Sequence, residues 1–171
     1  MKLSTFSFED AAQKGVFSKD YLIGRLDSTL KEYATDVHCP CWAPAAAIGA
    51  NVEELSNWII AQLNGGKFKD KQVIPAKAIT ETLKPNNIVS KELVYDEVFY
   101  GLYGLGRQTN HYKGHLFSSH GGVISGYRSL IAMLPQDSIG IIVLRNTVQG
   151  TPMATAALYG IIDRLLQLDQ S

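Results

Sequence analysis

Cysteine is scarce in this chain: Cys39 and Cys41 are the only two, with His38 before them and Pro40 between. Two thiols are too few for a disulfide-stapled scaffold, and a bridge between residues two apart would close a strained ring, so both read as free thiols. His38, Cys39 and Cys41 also fall short of a closed zinc site, which wants four ligands, and no CxxC partner appears elsewhere. No metal and no cofactor is expected. An excess of charge of one sign is missing too. The 16 Lys+Arg balance 16 Asp+Glu and lie scattered, leaving no electrostatic footprint for nucleic acid or an anionic membrane surface. Long apolar runs are absent: Leu130 to Pro135 and Ile139 to Leu144 fall far below the roughly 20 residues that span a bilayer. Met1 to Asp10 has neither the charged start nor the apolar core of a signal peptide. What remains is 46% hydrophobic residues in a chain of 171, the makings of one soluble domain with a buried core.

The first half reads as loops and short helices. Ser7 with Asp10 three residues on opens a short helix over Phe8 to Lys14, stopped by Gly15. Residues 16 to 50 carry little periodicity and end in Cys41 to Ala47, which reads as an irregular packed connection. Asn51 with Glu54 makes a capping box for a clearer helix, with Val52, Leu55, Ile59 and Leu63 on one stripe and Gly65-Gly66 as its end. After a turn from Gly65 to Asp70, Pro75 opens a helix with Ile79 and Leu83 on one face.

The second half changes period. Strand-like runs cover Tyr100 to Gln108, His115 to His120, Tyr127 to Leu134 and Ile139 to Arg145, separated by Asn110, Gly121-Gly122 and Pro135-Gln136-Asp137. This is the pattern of an antiparallel meander. Gly140 to Leu144 is apolar on both faces, which predicts cover on both sides. Thr151 is expected to cap a last helix with Leu158, Ile161, Ile162, Leu165 and Leu168 as its stripe. Helices, then strands, then a helix define an α+β fold, with a helical and loop region over 1–98 and strands plus a C-terminal helix over 99–171. There is no internal repeat.

Among the four histidines, His38, His111 and His115 suit solvated or hydrogen-bonded structural roles. His120 ends a strand and is followed by Gly121, Gly122 and then Gly126, so its ring lies beside backbone that glycine leaves open to close approach. A polar side chain next to accessible N–H groups suits the binding of an oxyanion or a carboxylate, although His-Gly-Gly also serves as a plain turn.

Four segments bear a resemblance as a set: Pro44 to Trp58, Tyr103-Gly104-Leu105-Gly106, His120-Gly121-Gly122-Val123-Ile124-Ser125-Gly126-Tyr127 and Gly140 to Asn146. In order and spacing they resemble the serine β-lactamase-like hydrolases, in the branch of class C β-lactamases, penicillin-binding proteins, DD-peptidases and related esterases. The resemblance covers essentially all of the chain and is to the C-terminal half of the family domain. It implies the β-lactamase/transpeptidase-like fold, incomplete here, with a sheet edge open to a missing N-terminal half or to another copy of the chain. That family is often exported.

Of the family's three motifs, Ser-x-x-Lys, Tyr-x-Asn or Ser-x-Asn, and Lys- or His-x-Gly, only the third has a counterpart. His120, Gly121 and Gly122 match it, and the resemblance implies that His120 is catalytic, orienting substrate or polarising the leaving group, while Gly121, Gly122 and the Val123 N–H line an oxyanion hole. The chain's one Ser-x-x-Lys, Ser28 to Lys31, falls after the family's nucleophile position and is rejected, so no nucleophile is assigned. Ala46 and Ala47 also stand where the family often has glycines. The implied function is amide or ester hydrolysis through an acyl-enzyme in the complete domain, with this chain inactive alone. Two other readings stay open: a noncatalytic module gripping a small molecule, a peptide or a peptidoglycan-like ligand, and a structural remnant.

Overall fold

The computed structural model describes residues 2–13, 17–24, 28–33, 43–89, 98–99, 101–147 and 149–168. The elements in order are helix α1 (Phe8–Gln13), strands β1 (Tyr21–Ile23) and β2 (Leu30–Glu32), helices α2 (Ala43–Ala46) and α3 (Val52–Leu63), strands β3 (Lys67–Phe68) and β4 (Lys71–Gln72), and helix α4 (Ala76–Leu83). Seven strands follow: β5 (Asn87–Ile88), β6 (Val98–Phe99), β7 (Leu102–Tyr103), β8 (Gln108–Tyr112), β9 (His115–Ile124), β10 (Tyr127–Leu134) and β11 (Ile139–Arg145). Helix α5 (Thr151–Leu166) ends the described chain. The expected α+β class and antiparallel meander are present: the main sheet runs β11-β10-β9-β8-β7-β5, with β6 also pairing with β8. Among the described residues β11 has a sheet neighbour on one side only.

The chain forms two compact units, each drawn from three separate segments. One comprises Met1–Ser4, Ala50–Gly121 and Ile131–Ile142; the other comprises Thr5–Gly49, Gly122–Leu130 and Val143–Ser171.

In the first unit α3 begins as its sequence dictates, with the Asn51 side chain accepting from the Glu54 N–H at 2.8 Å. The reciprocal half of the capping box is not formed. Glu54 turns instead to the N-terminal segment, accepting from the N–H groups of Lys2, Leu3 and Ser4 and from the Ser4 hydroxyl at 2.8–3.1 Å. Ile59, Ala61, Ile79, Tyr112, Phe117, Ala132, Met133, Leu134 and Ile141 are the unit's buried core residues among those described. Gly140 lets α3 approach β11, for a Cβ there would lie 2.1 Å from the Ile59 side chain.

In the second unit β1 pairs antiparallel with β2, and Ala154, Leu158 and Ile162 of α5 are buried. Phe8 packs against Phe17 and Tyr127 at 6.2 and 5.8 Å between centroids.

Several expectations need correction. The expected irregular connection from Cys41 to Ala47 holds α2, and β1 and β2 lie in the stretch of little periodicity before it; a second small hairpin, β3 with β4, occupies the expected turn after α3. Tyr100 to Gln108 is not one strand: Gly104 to Arg107 bends between β7 and β8, and Gly106 takes φ 78°, which glycine adopts freely. Asn110 is no separator but a buried residue within β8. Gly121 and Gly122 lie inside β9, which reaches Ile124. β11 is not covered throughout, for Ile141 is buried while Leu144 is 38% exposed. Gly150, in the left-handed region at φ 93°, precedes α5 without a side-chain cap, and Ile161 and Leu165 of the expected stripe are exposed.

Candidate functional site

His120, Gly121, Gly122 and Val123 all lie on β9. His120 lies on the strand with an exposed side chain, and its Nε2 is 2.9 Å from the Tyr103 hydroxyl. The two rings meet edge to face with centroids 6.0 Å apart. Tyr103 is held by its neighbours on both sides. Its carbonyl accepts from the Asn86 N–H and the Gly104 N–H reaches the Arg107 carbonyl, both at 2.9 Å. Gly104 permits this seat, because a Cβ there would lie 2.5 Å from the Lys84 carbonyl oxygen and 2.9 Å from that of Thr82.

Further along β9, Gly122 takes no side chain without displacing Ser129, whose hydroxyl oxygen is 2.3 Å from where a Cβ would stand. Val123 is 72% exposed. The turn that follows is pinned by a carboxylate the sequence did not single out. Asp20, 1% exposed, accepts from the Gly126 N–H at 2.8 Å and from the Ser125 hydroxyl at 3.0 Å. A Cβ on Gly126 would lie 2.5 Å from the Asp20 side chain, so glycine is what lets the carboxylate reach the backbone. Nothing marks Asp20 in the sequence, because the Ser125 hydroxyl and the Gly126 N–H that its carboxylate accepts from lie more than 100 residues away.

A second group of buried polar residues lies in the unit that holds His120. Arg107 donates from Nη2 to the Gln62 side chain at 3.1 Å, and burial lowers its pKa from the usual guanidinium value. Its Nη1 and the Ser118 hydroxyl have no hydrogen-bond partner among the described residues.

The other histidines and the rejected nucleophile have settings of their own. His115 Nδ1 meets both carboxylate oxygens of Asp137 at 3.0 and 3.1 Å, a tie between the start of β9 and the β10–β11 turn. His111 is exposed on β8. Ser28 stands at φ 52° in the β1–β2 connection and Lys31 belongs to β2, so they are not successive positions on a helical turn. His38, Cys39 and Cys41 lie outside the described residues. Among the described residues, no group of three His, Cys, Asp or Glu side chains is placed to hold a metal ion, and no helix is long and apolar enough to cross a membrane.

No family model and no curated protein matches the sequence. Solved structures do. The octameric penicillin-binding protein homologue from Pyrococcus abyssi superposes with a TM-score of 0.67 at 19% identity, over 92% of this chain and 34% of that one. The class C β-lactamase from Rhodobacter sphaeroides superposes with a TM-score of 0.66 at 13% identity, over 95% of this chain and 50% of that one. The chain thus has a β-lactamase-like fold and spans between a third and a half of the length of these two proteins.

Proposed function

We propose that this chain is the C-terminal half of a serine hydrolase domain of the β-lactamase and penicillin-binding-protein type, and that it carries the strand against which an ester or amide is held. The single observation that supports this most is His120 on β9, exposed, hydrogen-bonded and followed by Gly121, Gly122 and Val123, within a β-lactamase-like fold. In this reading His120 engages the substrate, the Val123 N–H faces the developing oxyanion, and a Ser-x-x-Lys serine with its lysine comes from a segment that these 171 residues do not contain.

The test is reconstitution. The chain alone is expected to leave a chromogenic cephalosporin and a nitrophenyl ester at the buffer rate, and addition of a segment bearing Ser-x-x-Lys and Tyr-x-Asn to restore turnover. In that complex His120→Ala should lower turnover about 100- to 1,000-fold, the cost of one transition-state donor. Turnover by the lone chain that disappears with Ser28→Ala would overturn the assignment.

The placement of Ser28 and Lys31 off a common helical turn favours a second reading, a noncatalytic module that grips a peptide or peptidoglycan-like ligand at His120. Saturable peptide binding by the lone chain, lost with His120→Ala and accompanied by no turnover in any reconstituted complex, would select it.

A further inference from the structure

Tyr103 and His120 lie 17 residues apart in the sequence, and only the fold brings the hydroxyl to the imidazole. Which atom donates decides what the ring can do. A phenol O–H is a good donor and its oxygen a weak acceptor, because the ring draws on the oxygen lone pair; a neutral imidazole nitrogen is a good acceptor. O–H···Nε2 is therefore the favoured sense of the 2.9 Å bond. A neutral imidazole whose Nε2 accepts must carry its proton on Nδ1.

The surroundings make this a fixed arrangement. Tyr103 is held through the Asn86 N–H on its carbonyl and through Gly104, which seats against the carbonyls of Thr82 and Lys84. The edge-to-face contact of the rings restricts the imidazole further. Nδ1 has no hydrogen-bond partner among the described residues and is left for a ligand.

We propose that Tyr103 is a positioning residue for His120: its hydroxyl occupies Nε2, so that His120 presents Nδ1–H, a hydrogen-bond donor, to substrate. The inference rests on the hydrolase reading above and sharpens it. His120 then serves an acceptor oxygen, the carbonyl or carboxylate of an ester, amide or peptide. It does not take the nucleophile's proton, because its one free nitrogen already carries hydrogen. No covalent step is involved; the proton stays on Nδ1 and the phenol proton stays on Tyr103.

The test reads the ring directly in the full chain. Long-range proton–nitrogen NMR of chain labelled in its four histidines, at alkaline pH where imidazoles are neutral, distinguishes the two tautomers, and a His120→Gln chain identifies the signal. The wild-type chain is expected to show Nδ1–H as the major form of His120. Tyr103→Phe keeps the ring and removes the hydroxyl. It should shift the population toward Nε2–H while moving the melting temperature by no more than about 4 °C, the scale of one lost hydrogen bond in a chain of this length. A wild-type His120 that is mainly Nε2–H overturns the proposal without any variant, so a misfolded Tyr103→Phe chain does not shield it. An unchanged tautomer in a folded Tyr103→Phe chain overturns it equally. The readout needs no turnover. Nδ1–H in a chain that never yields a hydrolase upholds the role of Tyr103 and removes the hydrolase reading; hydrolysis with His120 as Nε2–H does the reverse.

Discussion

Two carboxylates in this molecule perform the same act in opposite surroundings. Asp20 accepts from the Gly126 N–H and the Ser125 hydroxyl and is 1% exposed, at the turn joining β9 to β10. Glu54 accepts from three successive N–H groups, those of Lys2, Leu3 and Ser4, and from the Ser4 hydroxyl, where water still reaches it. Burial sets the two apart, because a donor stripped of its acceptor inside the protein finds no water, whereas one near the surface does. The turn next to the proposed oxyanion donor thus hangs on the carboxylate that is costly to lose, and the N-terminal segment on one that is not.

The sharpest way to break this contrast is Asp20→Ala, which orphans the Gly126 N–H and the Ser125 hydroxyl. The expected loss is about 3 kcal/mol, or roughly 6 to 12 °C in melting temperature for a chain of this size. A melting curve matching wild type would sink the claim that burial decides. Gly126→Ala approaches the same contact from the other side, forcing a Cβ to within 2.5 Å of Asp20. Overpacking of this kind should cost about 2 kcal/mol, checked by urea unfolding with an unchanged slope.

Glu54→Gln should have the smallest effect, and one that depends on pH. The Lys2 N–H, with help from the Ser4 hydroxyl and the Leu3 and Ser4 amides and against some desolvation, holds the Glu54 carboxyl at about 2, below its ordinary 4.5. A carboxyl depressed in the folded state stabilises the fold fully above its unfolded value and loses that contribution as the pH falls through its folded value. The gap in melting temperature between wild type and Glu54→Gln should therefore be present at neutral pH and close on descending from 4.5 toward 2. A gap that widens on acidification would mean that the N–H groups of Lys2 to Ser4 prefer the neutral amide.

These anchors also mark the limit of what the sequence discloses. α3 announces itself through Asn51 and its apolar stripe, and β10 and β11 through their bounded apolar runs, since both signals are local. β1 and β2 were missed because three residues a side, all exposed in β2, leave no alternation to detect. Gly121-Gly122 suggests a turn by composition, yet Gly122 is a strand residue that makes room for Ser129. The site divides in the same way. His120 was visible through its glycine neighbours and the family pattern, whereas Tyr103 and Asp20 acquire meaning only from partners the fold delivers.

The span between Asp20 and Gly126 is also an interval of time. The carboxylate leaves the ribosome 106 residues ahead of the amide it binds. At a synthesis rate of 5 to 20 residues per second, that amounts to about 5 to 20 s during which Asp20 exists without the turn it will hold. Hydrophobic collapse takes microseconds and hairpins form in about 1 to 10 μs, so local elements such as the β1–β2 pair have ample time to form and dissolve before then. The β9–β10 turn, by contrast, finds its anchor already made. The step that secures it waits for Gly126 to emerge, seconds after Asp20 has done so.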